Sequence, residues 1–297
     1  MGIKLILDTD IGSDVDDAWA LALCLASPEI ELLGVTLVHA DLETRAKIAL
    51  KMLKLAKRTQ TPVYKGISRP LTQYAQVYWG GHEGDDTDFS DIEGLSAPDG
   101  AVDFILDAVQ RYPNEVVVCP VGPLTNMGEA IRRKPDVMRG VKRLVIMGST
   151  FEGEGEDAAA TEHNVRVDSD ATRIVFESGI PATVVGLNVT SRVLIREENL
   201  KGIEGSAFGN YLAHMTRGYY RVIGREQTCM HDPLAVATLL DAGVVRTERM
   251  SARVLDGGLI AYTRNPEGPL DVAVDVDARR FENLLVSRVY ELTQKGD

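Results

Sequence analysis

Cysteine is scarce in this sequence. The chain of 297 residues contains three, Cys24, Cys119 and Cys229, and no two of them have CxxC spacing. An odd number of scattered cysteines argues against a disulfide framework and against a zinc site built from thiolates. We therefore expect reduced, buried thiols and a cytoplasmic protein, because disulfides are rare in a reducing cytosol.

Positive charge is also in short supply. Lysine and arginine total 32 against 44 aspartates and glutamates, so the net charge is −12. A polyanion would be repelled by such a surface, which predicts that no nucleic-acid polymer is a partner. A small uncharged ligand remains compatible with this charge, and so does a cation held where carboxylates converge.

Long hydrophobic runs are missing as well. The first residues lead straight into the apolar run 3–7, without a basic segment or a long apolar stretch, and no later run is long enough to span a membrane. We therefore expect neither a signal peptide nor a membrane partner.

Short apolar runs alternate with amphipathic stretches along most of the chain. The predicted strands are 3–7, 31–38, 62–66, 115–119, 143–147 and 182–186, and the predicted helices are 16–25, 42–57, 99–111, one after 122 and one from 168. Continuous β-branched runs between helices favour a parallel sheet covered on both faces. We predict one α/β domain over residues 1–297, with a mostly parallel central sheet as in Rossmann-like folds. The part from 206 onward is predicted to be largely helical, with short strands and a closing helix over 277–293.

The segment LILDTDIGSDVDDAWAL (5–21) is the strongest indication of chemistry. It places five aspartates within ten residues, between a predicted strand and a predicted helix: Asp8, Asp10, Asp14, Asp16 and Asp17. Such crowding of like charges is unfavourable unless a cation neutralises it, and oxygen ligands favour a hard cation such as Ca²⁺ or Mg²⁺. Helix capping by Asp14 or Asp16 is the alternative, but it explains only one or two of the five.

Three later segments place polar residues where helices are predicted to start. They are GPLTN, with Thr125 and Asn126; TEHN, with Glu162 and Asn164; and HDP, with His231 and Asp232. Each has an ordinary structural interpretation when taken alone: a turn, a polar loop and an N-cap followed by proline. Functional alternatives stand beside these: the pair Glu162 and Asn164 fits a sugar hydroxyl equally well, and Thr125 and Asn126 could supply oxygens at a strand end.

Together, however, these motifs resemble a known family. DxD followed by DDA, then GPLTN, then E-x-N, then HDPLAVA occur in this order in the nucleoside hydrolases of the inosine–uridine-preferring type, and the resemblance extends to VDARRFENLL near the end of the chain. It implies an enzyme that hydrolyses the N-glycosidic bond of ribonucleosides, in nucleoside salvage, and that assembles as a homodimer or homotetramer.

The resemblance also implies a metal site. Carried over residue by residue, it implies a Ca²⁺ ion held by the carboxylates of Asp10, Asp17 and Asp232 and by the backbone carbonyl of Thr125. Asp10 would in addition act as general base toward the metal-activated water. Direct attack by water would invert the configuration at the anomeric carbon, as in inverting glycosidases.

Substrate contacts follow in the same way. Asp16 would bind a ribose hydroxyl, Glu162 and Asn164 would hold the 5′-hydroxyl end, and His231 would lie on the side of the leaving base and protonate it.

The base itself would meet residues outside the shared motifs. His82 and Tyr219 are the candidates in the variable segments, and for Tyr219 packing in the core or at an interface is the alternative. Purine, pyrimidine and modified bases all remain open.

The chain departs from the family pattern in three places. Two extra residues stand between Gly12 and the Asp16–Asp17 pair, which leaves open whether Asp14 or Asp16 contacts the sugar. Asp41 stands where the family has asparagine after the second strand, and an ionised carboxylate accepts but cannot donate a hydrogen bond. The asparagine expected before Glu162 has no counterpart.

Two other functions fit parts of the pattern. A phosphohydrolase of the haloacid-dehalogenase type also places DxD after its first strand, but it usually has Thr or Val where this chain has Gly12. A non-catalytic ribose- or metal-binding protein would not need a general base beside the ion.

Overall fold

The computed structural model describes residues 2–73 and 75–294. The strands are β1 (Ile3–Thr9), β2 (Ile30–Leu37), β3 (Val63–Lys65), β4 (Val116–Pro120), β5 (Arg143–Met147), β6 (Ala182–Val185), β7 (Leu194–Arg196), β8 (Gln227–Cys229), β9 (Val245–Val254), β10 (Ile260–Arg264) and β11 (Leu270–Val276). The helices are α1 (Asp16–Ala26), α2 (Leu42–Leu55), α3 (Ala101–Arg111), α4 (Thr125–Arg133), α5 (Pro135–Met138), α6 (His163–Val167), α7 (Ser169–Phe176), α8 (Leu187–Thr190), α9 (Glu197–Ile203), α10 (Ala207–Ile223), α11 (His231–Leu240) and α12 (Ala278–Gln294). Three short 3₁₀ turns lie at Ser90–Ile92, Glu156–Ala158 and Asp256–Gly258.

A nine-stranded sheet runs through the molecule in the order β10-β9-β11-β6-β5-β4-β1-β2-β3. Neighbours from β11 to β3 pair in parallel, and β9 pairs antiparallel with both β11 and β10. A separate antiparallel pair joins β7 and β8. The predicted α/β fold with a mostly parallel sheet is therefore confirmed, and the C-terminal part contributes three strands to it besides its helices.

Helices cover both faces of the sheet because successive side chains of its strands point to opposite faces. In β1, Leu5 and Leu7 pack in the core that contains the apolar side of α1, whereas Ile6 packs in the core that contains α3 and α4. Because both faces of the sheet are buried against helices, both sets of alternating side chains are apolar, and the strand sequences are therefore apolar without a break.

The strand order reverses at β1. The chain passes from β1 to β2 and β3 on one side and then crosses to β4, β5 and β6 on the other, so β1 lies between β2 and β4. Loops that leave adjacent strands in opposite directions open a crevice at their carboxyl ends, which is where ligands bind in such sheets. The aspartate-rich segment follows β1 and therefore lies at this crevice.

Two of the three cysteines are buried, as expected, and the third is not. All three are unpaired, with Cys24 and Cys119 buried and Cys229 half-buried. Within the described ranges, no helix has the length and apolar character needed to cross a bilayer.

Candidate active site

A cavity of about 470 Å³ lies at the carboxyl ends of the central strands, and we call it the acidic cavity. Eight of the twelve predicted site residues line it: Asp10, Asp14, Asp16, Asp17, Glu162, Asn164, His231 and Asp232. Sequence reasoning missed other lining residues, among them Tyr78, Val121, Met147 and His163. Val121 and Met147 each stand at or just after the end of a predicted strand, which is the indication that would have found them.

Three carboxylates lie together at the floor of this cavity. Asp16, Asp17 and Asp232 each offer an oxygen within 4.8 Å of the others, and all three residues are buried. The backbone N–H of Asp232 donates to the Asp16 carboxylate at 3.2 Å, across 216 positions of sequence. The arrangement arises because α1 and α11 both begin here, and the positive ends of two helices favour negative charge.

Helix capping does not account for these aspartates. The residue before α1 is Val15 and the residue before α11 is Met230, and neither helix has a side-chain cap. Asp16, Asp17 and Asp232 instead lie in the first turns. The N-cap interpretation of Asp232 is therefore wrong, and another reason is needed for burying three carboxylates in contact.

The crowding of buried carboxylates raises the pKa values of the cluster. Burial, followed by the charge of Asp14, raises the pKa of Asp16 to about 8. Burial and the neighbouring carboxylates also raise the pKa of Asp17 and of Asp232 well above the usual range. Full ionisation at neutral pH thus requires a compensating cation, and a donor set made only of oxygen suits a hard divalent ion. The residues present fit such an ion.

Asp10 lines the same cavity, on the side where Arg45 lies. Its Oδ2 lies 3.8 Å from Nη2 of Arg45, a fully buried residue of α2. A Cβ at Gly122 would lie 2.6 Å from Asp10 Oδ1, so only glycine lets the chain after β4 pass this carboxylate. Asp10 is outside the 4.8 Å cluster that Asp16, Asp17 and Asp232 form.

Thr125 does not lie where the sequence predicted. It begins α4, its hydroxyl donates to Asp168 at 2.7 Å, and it lines neither this cavity nor the one beside it. Val121 is the residue of that loop that reaches the acidic cavity, directly after β4. The correction has a simple cause: the carboxyl end of a strand reaches the crevice, whereas a residue already in the following helix has turned away.

Asp41 is also misplaced by the sequence prediction. It is exposed, it caps α2 by accepting from the N–H groups of Glu43 and Thr44, and it lines neither cavity. His39, two residues earlier and only 2% exposed, lies against residues of the acidic cavity instead. No motif in the sequence indicated His39, since a lone histidine after a strand has no distinctive pattern.

Glu162 and Asn164 close the opposite side of the cavity. Glu162 caps α6 and accepts from the N–H groups of Ser149 and Asn164, and burial raises its pKa to about 7. Asn164 Nδ2 donates to the carbonyls of Val121 at 2.7 Å and Met147 at 3.3 Å. The polar pair is thus rigidly placed at the ends of β4 and β5.

His231 reaches the cavity from the start of α11. Its Nδ1 lies 2.7 Å from the hydroxyl of Thr190, the last residue of α8. Burial lowers the pKa of His231 to about 4. The imidazole is therefore neutral at physiological pH.

A second cavity of about 300 Å³ adjoins the first, and we call it the adjoining cavity. The two share Ser13 and Asp14, which form the wall between them. His82 and Tyr219 both line the adjoining cavity, with ring centroids 6.3 Å apart, and the His82 Nε2 is 2.8 Å from the Ser13 carbonyl oxygen. The two predicted base contacts thus lie together, beside the acidic cavity rather than in it.

Comparison with known proteins places these features in a family context. Residues 5–283 match the family model described as inosine-uridine preferring nucleoside hydrolase. The chain is 30% identical over 301 residues to uridine nucleosidase 1 of Arabidopsis thaliana, covering 92% of this chain and 89% of that one. It is 28% identical over 262 residues to the pyrimidine-specific ribonucleoside hydrolase RihB of Escherichia coli, covering 84% and 82%.

Solved structures give the same result. A purine-preferring ribonucleoside hydrolase from Gardnerella vaginalis superposes with a TM-score of 0.87 at 32% identity, covering 98% of this chain and 99% of that one. The similarity therefore extends over the whole of the sheet and the crevice at its carboxyl end.

Proposed function

The chain belongs to the inosine-uridine preferring nucleoside hydrolase family, and it is an enzyme that hydrolyses the N-glycosidic bond of ribonucleosides; from that premise we propose that the reaction takes place in the acidic cavity, with Ca²⁺ as cofactor and Asp10 as general base. One observation carries the proposal: Asp16, Asp17 and Asp232 are buried within 4.8 Å of one another, without a helix-capping role. A buried carboxylate cluster of this kind is stable in ionised form only beside a cation.

We assign the carboxylates of Asp10, Asp17 and Asp232 to the ion. For the backbone ligand we now propose the carbonyl of Val121 in place of that of Thr125, because Val121 lines the cavity. The Val121 carbonyl already accepts from Asn164, and a carbonyl oxygen has a second lone pair for an ion. When bound, the ion would polarise water and lower the cost of removing its proton.

Asp10 would act as general base toward the attacking water. Its position beside the buried guanidinium of Arg45, outside the 4.8 Å cluster but close enough for its charge to act on Asp17, supports this role. Bond cleavage leaves positive charge on the ribosyl group, which the remaining carboxylates of the cavity stabilise electrostatically. Because water attacks directly, the sugar product should carry inverted anomeric configuration.

Asp16 is the better candidate for the ribose hydroxyl. Its carboxylate belongs to the buried cluster, whereas Asp14 forms part of the wall toward the adjoining cavity. Glu162 and Asn164, on the opposite side, would hold the 5′-hydroxyl end. We place the base toward His82 and Tyr219, past Asp14.

His231 would contact the leaving base. A neutral imidazole is a poor proton source, and the low pKa that burial gives His231 favours a hydrogen bond from its N–H to the base over full proton transfer before cleavage.

A substrate and metal panel tests the proposal. Inosine, uridine, their 2′-deoxy counterparts and a 5′-monophosphate are incubated with the enzyme, and free ribose is measured after treatment with a chelator and after return of Ca²⁺, Mg²⁺ or Zn²⁺. We expect turnover of ribonucleosides, loss of turnover on chelation and recovery with Ca²⁺. Deoxynucleosides should react at least about a hundredfold more slowly, since a missing hydroxyl leaves buried polar groups unpaired. The buried Glu162 should disfavour a 5′-phosphate.

Full activity in metal-free protein, or equal rates on uridine and deoxyuridine, would contradict the proposed mechanism. p-Nitrophenyl phosphate serves as the negative control, because its hydrolysis would favour the phosphohydrolase alternative.

A further inference from the structure

His39 has an unusual backbone at the carboxyl end of β2. Its φ is 69° and that of the next residue, Ala40, is 58°, so two successive residues other than glycine adopt the left-handed region. Neighbouring groups impose this conformation: the N–H of His39 donates to the Ile67 carbonyl at 2.9 Å, and its own carbonyl accepts from Arg45 Nε at 2.8 Å. Strained backbone that the surroundings hold in place is concentrated at functional sites.

The imidazole of His39 has one satisfied nitrogen and one unsatisfied nitrogen. Nε2 lies 3.2 Å from the backbone nitrogen of Tyr78, which can only donate a hydrogen bond to it. Nε2 is therefore unprotonated, and a neutral ring must carry its proton on Nδ1. Burial lowers the pKa of His39, which keeps the ring neutral. Among the described residues, Nδ1 has no hydrogen-bond partner although His39 is only 2% exposed.

The ring lies against the wall of the acidic cavity. Tyr78 lines that cavity, and so does His163, whose ring is edge-on to His39 at 6.5 Å. The charge of Asp10 also acts on the imidazole. Buried donors without a partner are rare in folded proteins. His39 itself lines neither cavity and its Nδ1 is fully buried, so a ligand oxygen reaches this donor when the side chain of Tyr78, which is 53% exposed, moves aside.

We propose that His39 is a sugar-positioning residue, whose Nδ1–H donates to a hydroxyl oxygen of the ribosyl group while the backbone of Tyr78 fixes the tautomer. The proposal rests on the proposed function, and it assigns a substrate contact to a residue outside the recognised motifs. The side chain of Asp41 is absent from the cavity, and His39, two residues earlier, would supply the polar group near the end of β2 in its place.

Two substitutions of His39 distinguish the role of Nδ1 from that of Nε2. In His39→Asn the amide nitrogen occupies the position of Nδ1 and keeps a donor there, and asparagine tolerates positive φ. In His39→Gln the terminal amide reaches the position of Nε2, so it keeps an acceptor for Tyr78 but leaves nothing at Nδ1. Each variant is therefore the matched control of the other, and urea unfolding of both verifies that they fold.

The experiment measures inhibition by the product ribose and by 2-deoxy-, 3-deoxy- and 5-deoxyribose, with p-nitrophenyl riboside as the reporter substrate. We expect His39→Gln to bind ribose about tenfold more weakly, the effect of one hydrogen bond, and to show no such loss for the one deoxy sugar that lacks the accepted hydroxyl. His39→Asn should retain most of the wild-type affinity. An equal loss for all four sugars, or a greater loss in Asn than in Gln, would overturn the proposal.

Nitrogen NMR of the histidine rings provides a readout that does not depend on activity. We expect the free protein to show His39 neutral with the proton on Nδ1, and that resonance to shift when ribose is added. A proton on Nε2, or an unchanged resonance at saturating ribose, would overturn the assignment. Wild-type turnover is measured in parallel: if the wild type fails to hydrolyse any riboside the proposed function fails, whereas an insensitive His39 beside an active wild type refutes this inference alone.

Discussion

Asp8 and Asp10 are two residues apart on the same strand end, yet their carboxylates have different neighbours. Asp8 Oδ1 accepts from the Thr36 hydroxyl at 2.6 Å and from Asn126 Nδ2 at 2.7 Å, so it ties β1 to β2 and α4. Burial raises the pKa of Asp8 to about 7. Asp10, in contrast, lines the acidic cavity. The first aspartate of the DxD motif is therefore structural, and only the second is available to a substrate.

Asp10→Asn tests the general base. The substitution keeps the size and one ligating oxygen but removes the charge and the basicity, so the cation should bind more weakly while the sugar contacts stay intact. We expect kcat to fall by at least about 10²–10⁴-fold, the usual contribution of a general base. The measurement is kcat on inosine, uridine and p-nitrophenyl riboside at saturating Ca²⁺. A variant with near-normal kcat on all three substrates would show that Asp10 is not the base.

Thr190→Val tests how His231 is oriented. The hydroxyl of Thr190 is the group bonded to Nδ1 of His231, and valine keeps its shape without the hydrogen bond. We expect kcat on inosine and uridine to fall about tenfold, the equivalent of one hydrogen bond. On p-nitrophenyl riboside the variant should match the wild type, because that leaving group needs no assistance.

Thr238→Val provides the control for this substitution, since among the described residues the Thr238 hydroxyl bonds to the Ala235 carbonyl within α11 and to no other group. It should leave all three rates unchanged. If Thr190→Val slows the three substrates equally, the hydroxyl supports the fold and does not orient a group that assists the leaving base.

At the scale of elements, α2 fixes the loop that follows β1. The guanidinium of Arg45 donates to the carbonyls of Asp10, Ile11 and His39, and its side chain is fully buried. Trp79 covers it, with the guanidinium 5.1 Å from the ring centroid. One side chain of a helix thus holds the strand ends on which Asp10 and His39 stand.

Arg45→Met should therefore destabilise the protein strongly. Removal of a buried cation leaves Asp10 and three carbonyls without a partner, and we expect the free energy of unfolding to fall by about 3–5 kcal/mol. Urea unfolding measures the loss. Arg132→Met is the control, because Arg132 pairs with Glu129 at the surface and its replacement should lower the free energy of unfolding by about 0.5 kcal/mol or less. Similar midpoints for the two variants would contradict this account of α2.

The order of strands and helices was predictable because hydrophobic periodicity is a local property. Predicted strand 143–147 and observed β5 coincide, and the helix predicted from Asp16 is α1. The errors at Thr125 and Asp41 have another origin. Whether a residue near a strand end faces the crevice depends on where the next helix begins, and a shift of one turn moves its side chain from the cavity to a cap.

At the scale of the whole molecule, the reversal of strand order at β1 assembles the site. Residues from the first 20 positions meet residues near 121, 163 and 232, because the loops after β1 and β4 diverge and α11 returns to the same edge. The motifs predicted that these segments meet, through the family resemblance. They did not indicate His39, because its role depends on a backbone conformation and on the Tyr78 contact, both of which are tertiary.

The acidic cluster links global stability to pH and to the cation. Asp8, Asp16, Asp17 and Asp232 all have folded-state pKa values above their unfolded values, mainly through burial. Between about pH 4 and pH 8 these four groups therefore bind more protons in the metal-free folded state than in the unfolded chain, so their contribution to the free energy of unfolding falls as the pH rises. Below this range all four groups are protonated in both states, and the penalty disappears.

We expect the midpoint of urea unfolding of the chelator-treated protein to decrease steadily from pH 5 to pH 8. Added Ca²⁺ should reverse the trend, because the ion binds the ionised carboxylates of the folded state and stabilises it more as they lose protons. Its stabilising effect should thus be small at pH 5 and amount to a few kcal/mol at pH 8 in millimolar Ca²⁺. Asp232→Asn removes one buried charge, so it should flatten the pH dependence of the metal-free protein and weaken the response to Ca²⁺ together. If that variant keeps the full calcium response, the ion binds elsewhere, and the buried carboxylates at the start of α1 and α11 are tolerated for a reason other than metal binding.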